Sequence, residues 1–359
     1  MTKATTNIEL KSINTLRFLF SIIIVYYHLF FVQLRPFLHK SELFKTLTIN
    51  TISAELAVEC FLIIAGYFLY QTFQNSPHTT ISNFLFKRFF RLYPVFFFCT
   101  VINFLQKPTS LDEFILTLSF LHSTGISLNY FGALWFVGPF FWCSIFLFAL
   151  LKSFDKNKSL IIISFLCYFS YCLNLNNTNG WLSRPIVHTT LSLAMFRILG
   201  GLSLGILLNV LNQALDSQKK SPLIPQKAQF ILFSIIELSC TYILLHNFVI
   251  HTIFKNAFTT IVIFLLLFYT LIQNKGILSL VLNIKTLSNL GKYSYSIYAM
   301  QLVSFNILSQ TLWINQNFVY AHPILTITLS LLFTIFIGII TYYSLEKHIQ
   351  NFYLKHFKQ

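Results

Sequence analysis

Residues 13–32 read INTLRFLFSIIIVYYHLFFV, a run in which Arg17 and His28 are the only Lys, Arg, His, Asp or Glu side chains. A helix of that length is about 30 Å long, the thickness of a bilayer's hydrocarbon core, so the stretch predicts a membrane span. Arg and His at that depth cost free energy, and an intramembrane ionisable group is by default a candidate functional residue. At ~100° per residue the two side chains return to nearly the same helix face, roughly 16 Å apart along the axis. One face therefore carries a fixed cation near its start and an imidazole three turns deeper.

The rest of the chain repeats the apolar pattern. Hydrophobic residues make up 55% of it and charged residues 10%, with 42 Phe among 359 residues and a mean hydropathy of +0.68, which excludes a soluble domain. About ten apolar stretches long enough to cross are expected at 13–32, 49–73, 84–105, 130–151, 160–175, 190–210, 230–250, 258–272, 293–312 and 323–345. The expected class is an all-α, polytopic integral membrane protein.

Basic residues orient it. Eighteen of the 25 Lys and Arg fall in six groups of three on the side of the N-terminus: Lys3, Lys11 and Arg17; Lys87, Arg88 and Arg91; Lys152, Lys156 and Lys158; Lys219, Lys220 and Lys227; Lys275, Lys285 and Lys292; Lys347, Lys355 and Lys358. Arg35, Lys40, Lys45, Lys107, Arg184 and Lys255 fall on the other side, and Arg197 lies inside the sixth span. Cytoplasmic loops hold the Lys and Arg excess, so both termini are expected in the cytoplasm. The net charge of +15 then reflects orientation and headgroup contact, which removes the motive for a nucleic-acid reading. Phe30 to Phe37 is bulky and lacks a small-residue cleavage pattern, so the first span is expected to be retained. The polar break from Asp216 to Gln229, with Pro222 and Pro225, reads as an inside loop. One integral domain over 1–359 is expected, with short cytoplasmic tails at 1–12 and 346–359.

Several chemistries lack their residues. The six cysteines, Cys60, Cys99, Cys143, Cys167, Cys172 and Cys240, lie in apolar runs without CxxC spacing and read as buried thiols. No HExxH or phosphate-binding GxxxxGK[ST] loop occurs, so neither a metal site nor nucleotide hydrolysis is expected. Glu55 and Glu59 share a face of the second span; they read either as functional acids or as a hydrogen-bonded carboxyl or ion pair holding two helices. Lys87, Arg88 and Arg91 in FKRFFRLYP form a basic entry to the third span, closed by Pro94, and read either as snorkelling anchors or as an anion site.

Taken in order, several of these segments resemble one family. They are the Arg17-x10-His28 helix, FLIIAGYF at 61–68, KRFFRLYP at 87–94, LWF at 134–136, RILGGLSLG at 197–205, SYSIY at 294–298 and LEK at 345–347. Together they are similar to the acyltransferase family 3 membrane O-acyltransferases. The resemblance implies transfer of an acyl group, usually acetyl from cytoplasmic acetyl-CoA, to a hydroxyl of a cell-surface glycan such as O-antigen lipopolysaccharide, capsule or exopolysaccharide, in a bacterial inner membrane. Ala65 stands in place of the serine of the SGF element, no acid follows Trp135 by two or three positions, and Gln301 stands where SYSIYLIH members carry histidine. These departures bear on the acceptor more than on the reaction.

The chemistry assigns the roles. A thioester is already activated, so transfer to a hydroxyl needs a base, a stabiliser for the oxyanion and a site poor in water. His28 is the expected base and Arg17 its catalytic companion or a ligand of the donor. Arg88 and Arg91, with Lys87, are expected to hold CoA phosphates through charge-assisted hydrogen bonds. Arg197 either polarises the thioester carbonyl or pairs with Glu59, as a structural ion pair. Trp135, Tyr298 and Tyr295 are candidates for sugar stacking, with aromatic packing as the alternative, and His122 is a further candidate on the acceptor side. The competing class is a carrier or flippase of a lipid-linked glycan or small anion, but the inverted repeats with broken helices that would mark it are not evident. A scaffold would leave the burial of Arg17, His28 and Arg197 without a reason.

Overall fold

A computed structural model describes residues 11–30, 54–127, 132–177, 192–217, 225–250, 257–310 and 316–357. Of the residues read above for topology and retention, Lys3, Arg35, Lys40, Lys45, Arg184, Lys219, Lys220, Lys255, Lys358, Pro222 and residues 31–37 lie outside the described residues, as do the span ends at Val32, Ile49, Tyr130, Thr190 and Leu312. In chain order the helices are α1 (Lys11–His28), α2 (Ala54–Asn75), α3 (Ile81–Gln106), α4 (Leu111–Leu118), α5 (Val137–Ser153), α6 (Lys156–Asn177), α7 (Leu193–Ser217), α8 (Gln226–Ile250), α9 (Ala257–Gln273), α10 (Ile277–Leu282), α11 (Lys285–Leu290), α12 (Ser294–Gln310), α13 (Gln316–Ala321), α14 (Pro323–Thr341) and α15 (Lys347–Phe357). No strand occurs among the described residues.

Each of the expected apolar stretches falls on one of these helices, but length and apolarity separate them. Seven helical stretches among the described residues are long and apolar enough to cross a membrane: Ala54–Asn75, Ile81–Gln106, Gly132–Ser153, Lys156–Asn176, Leu193–Ser217, Gln226–Leu245 and Pro323–His356, with Ala257–Gln273 as a shorter apolar helix. The protein is an all-helical integral membrane protein. α8 shows how such a helix meets lipid: Ile231, Leu232, Ile235, Leu238 and Tyr242 all stand exposed along it.

Between helices already bathed in hydrocarbon, association depends on close packing more than on apolar burial, which favours small residues at the contact. α2 and α7 meet this way. A Cβ on Gly66 would overlap the Leu202 carbonyl, and one on Gly205 would overlap the Ile63 carbonyl, so the two backbones approach as only glycine permits. Polar ties join other helices of the core. The buried Glu237 of α8 accepts from the backbone N–H groups of Leu278 (2.8 Å) and Ser279 (3.1 Å), filling donors that the first turn of α10 leaves without intrahelical partners. Thr15 of α1 donates to the Leu282 carbonyl at 2.6 Å, and the Ser12 N–H donates to Asn283 Oδ1 at 2.8 Å.

One expectation changes. The basic entry is not closed by Pro94, because α3 starts at Ile81, capped by Thr80 accepting from the Asn83 N–H at 3.1 Å, and runs through Pro94 to Gln106. The cations therefore sit within a long helix. Within the expected tail, after a π turn at Tyr342–Glu346, α15 (Lys347–Phe357) packs Tyr353 on Phe90 with ring centres 5.3 Å apart.

Candidate active site

α1 presents Asn14, Arg17, Ile24 and His28 at spacings of three, seven and four residues, which keeps them on one face. α12 presents Ser294, Tyr298 and Gln301 at spacings of four and three. These two faces meet. His28 Nδ1 lies 3.0 Å from the Ile24 carbonyl oxygen and 3.1 Å from Gln301 Oε1. Both partners are oxygen acceptors, so Nδ1 carries the hydrogen and Nε2 carries the basic lone pair.

A cavity of about 380 Å³ lies one helical turn back along these faces, lined by Arg17 and Ile24 of α1, by Lys87, Arg88 and Arg91 of α3, and by Ser294, Tyr295 and Tyr298 of α12. Much of its remaining wall is apolar, with Phe61, Ala65 and Phe68 of α2 and with Phe136 and Phe140, beside Asn14 and Thr72. Two of these helices, α1 and α3, thus bring four cations to one cavity. Lys87, Arg88 and Arg91 converge because spacings of three and four residues place them on one side of α3. The Arg88 guanidinium is clasped between the rings of Phe84 and Phe140, 5.2 Å from each centre; such stacking leaves the in-plane N–H groups to donate.

Beyond Asn14, Arg17, Lys87 and Arg91 a second cavity of about 380 Å³ continues, lined also by Lys292, Glu346, Gln350 and Tyr353. Glu346 is the one acid that lines either cavity among the described residues. Its carboxylate accepts from Ser296 Oγ (2.6 Å) and Gln350 Nε2 (3.1 Å). Sequence reading passed over Glu346 except as a letter in LEK, and Gln301 except as a departure. The signal for Gln301 was a polar residue kept inside an apolar run.

A family model for an acyltransferase domain matches residues 10–343, nearly the whole chain. The chain belongs to acyltransferase family 3. No curated protein and no solved structure matches it. This family 3 acyltransferase keeps the buried charges of Glu59 and Arg197 apart from the cavity. Glu59 and Arg197, 1% and 2% exposed, form an ion pair at 3.3 Å. Arg197 also donates to the Glu55 carbonyl at 2.7 Å and lies 5.5 Å from the centre of the Trp135 ring, while Tyr171 donates to the other Glu59 oxygen. None of Glu59, Arg197 and Trp135 lines the cationic cavity, whereas Tyr298 does.

His122 sits elsewhere again, fully buried and stacked on Phe96 with ring centres 5.2 Å apart. Burial pushes its imidazole down to about 4, so it stays neutral at physiological pH and is a weak base. Its neighbours Phe120 and Ser123 hold φ of 60° and 57°, a conformation that is strained for a bulky residue such as Phe.

Proposed function

We propose that this acyltransferase moves acetyl from cytoplasmic acetyl-CoA to a hydroxyl of a cell-surface glycan, such as O-antigen lipopolysaccharide, capsule or exopolysaccharide, in a bacterial inner membrane. The observation that carries the reading is the convergence of Arg17, Lys87, Arg88 and Arg91 on one cavity whose α1 and α12 walls lead to His28. A CoA-type donor is a polyanion with a long, weakly polar arm ending in a thioester. Four cations at one end suit its phosphates through charge-assisted hydrogen bonds, and the apolar wall suits the arm.

In this reading His28 works through Nε2. It accepts the proton of the glycan hydroxyl as that oxygen attacks the acyl carbon, and returns it to the departing sulfur. Nδ1–H, held by two carbonyl oxygens, keeps the ring in the required tautomer and orientation. The aromatic wall limits water, which favours transfer over hydrolysis. The Glu59–Arg197 pair then serves as a clamp between α2 and α7, and both termini, with the tails at 1–12 and 346–359 of the single domain, lie in the cytoplasm.

The test is direct. Purified protein in lipid discs, given radiolabelled acetyl-CoA and an envelope glycan extract, should label the glycan. Donor binding without any labelled product, together with glycan movement across vesicles, would support the carrier class instead.

A further inference from the structure

Gln301 and Ser304 lie one turn apart on α12 and are both fully buried. Gln301 Nε2 and Ser304 Oγ have no hydrogen-bond partner. Orphaned polar atoms of this kind are rare in native interiors, and each calls for a reason. Neither follows from local geometry. Serine and threonine hydroxyls in these helices mostly bond back to the carbonyl one turn before, as Thr72, Thr100 and Thr334 do, and Ser304 does not. The Gln301 amide is fixed at its other end, because Oε1 accepts from His28 Nδ1 at 3.1 Å, which turns the N–H₂ group away from that contact. One donor without an acceptor thus belongs to the side chain that holds the imidazole, one turn beyond Tyr298 of the cavity wall, and the second follows one turn further along the same helix.

We infer that Gln301 Nε2 and Ser304 Oγ form the oxyanion-binding pair for the acyl carbonyl, while Gln301 Oε1 orients His28. The inference rests on the acyl-transfer reading above. As the acceptor oxygen bonds to the acyl carbon, the carbonyl π electrons move onto its oxygen, and the two donors hold that charge. His28 Nε2 takes the hydroxyl proton. When the carbonyl re-forms, the carbon–sulfur bond breaks and the proton passes from His28 to the thiolate, leaving free CoA and the ester. No oxidant or further reactant enters. The donors are placed before charge develops, the condition under which such groups stabilise a transition state most.

The experiment compares Gln301→Leu, Gln301→Glu and Ser304→Ala with wild type in acetyl transfer from radiolabelled acetyl-CoA to the envelope glycan extract, with melting temperatures measured alongside. Gln301→Leu should lower kcat by about 10²–10³-fold, the usual loss for one such donor, with the KM for acetyl-CoA unchanged. Its melting temperature should stay close to that of wild type, because the orphaned Nε2 is removed with the amide while His28 Nδ1 keeps the Ile24 carbonyl at 3.0 Å. Gln301→Glu keeps an oxygen toward His28 but deletes the N–H donor, so its kcat should also stay low. Ser304→Ala, the mildest change, should lower kcat without moving KM. Wild-type kcat in Gln301→Leu or Gln301→Glu overturns the pair, and so does a loss that tracks a lower melting temperature or a raised KM. If wild type itself labels no glycan, it is the acyl-transfer reading that has failed, and this inference falls with it.

Discussion

Replacing His28 by Asn separates its proposed chemical role from its structural one. Nδ1 of His28 donates toward the Ile24 carbonyl at 3.0 Å and toward Gln301 Oε1 at 3.1 Å. The Asn amide nitrogen occupies nearly the position of Nδ1 and donates likewise, but nothing replaces Nε2. Folding should therefore be preserved, whereas His28→Ala strands Gln301 Oε1 at about 1–3 kcal/mol and adds a cavity cost. Loss of a positioned base lowers rate by roughly 10²–10⁴-fold, equivalent to about 3–5 kcal/mol of transition-state stabilisation. His28→Asn should show that loss in kcat, with wild-type affinity for acetyl-CoA and a melting temperature close to wild type. The assay is initial-rate transfer of label from acetyl-CoA to glycan, with donor binding measured on the same preparation. Transfer by His28→Asn at the wild-type rate would refute His28 as the base.

Three further outcomes follow from other parts of the molecule. The double variant Arg88→Ala, Arg91→Ala should weaken acetyl-CoA binding by about 100-fold or more at low salt, since each charge-assisted bond contributes about 1.5–3 kcal/mol. The deficit should shrink as salt screens the cations, and unchanged affinity would return them to helix anchoring. Glu59→Ala should lower stability by about 3–5 kcal/mol by leaving Arg197 buried without its acid; a wild-type melting temperature with lost turnover would instead point to a role on substrate. A reporter fused at Gln359 should give a cytoplasmic signal, and an external one would reverse the assigned topology.

How far the sequence carried the site depends on the range of each contact. Arg17 with His28, and Lys87 with Arg88 and Arg91, were legible because helical spacing alone decides which side chains share a face. Glu237 was not, since its partners at Leu278 and Ser279, 41 and 42 positions on, lie in the short apolar stretch of α10, which the sequence gives no reason to fold back against α8. Gln301 is the sharper case. It was visible as a departure from the family's pattern, but its bond to His28 spans 273 positions, and only packing of α1 on α12 reveals it. For Arg197 the sequence left two roles open, and the 3.3 Å pair with Glu59 together with its absence from the cavity wall favours the structural one. Pro94 misled for an opposite reason. A proline removes one helix bond, and tertiary support for α3 outweighs that local penalty.

The arrangement of polar and apolar groups along α1 also accounts for the most conspicuous departure. Arg17 and His28 stand roughly 16 Å apart along the helix, and the cavity that Arg17 and Ile24 line has an apolar side of Val58, Phe61, Ala65 and Phe68. In the proposed reaction the cationic end must capture anions and the His28 end must move a proton, so each pole needs polar groups. The stretch between needs the reverse, because water admitted there would hydrolyse the thioester. Ala65 lies on the apolar α2 wall of that cavity. A methyl group in place of a serine hydroxyl keeps the wall dry and removes no donor that the chemistry uses, so the substitution alters the lining of the donor passage and leaves the base and the cations intact.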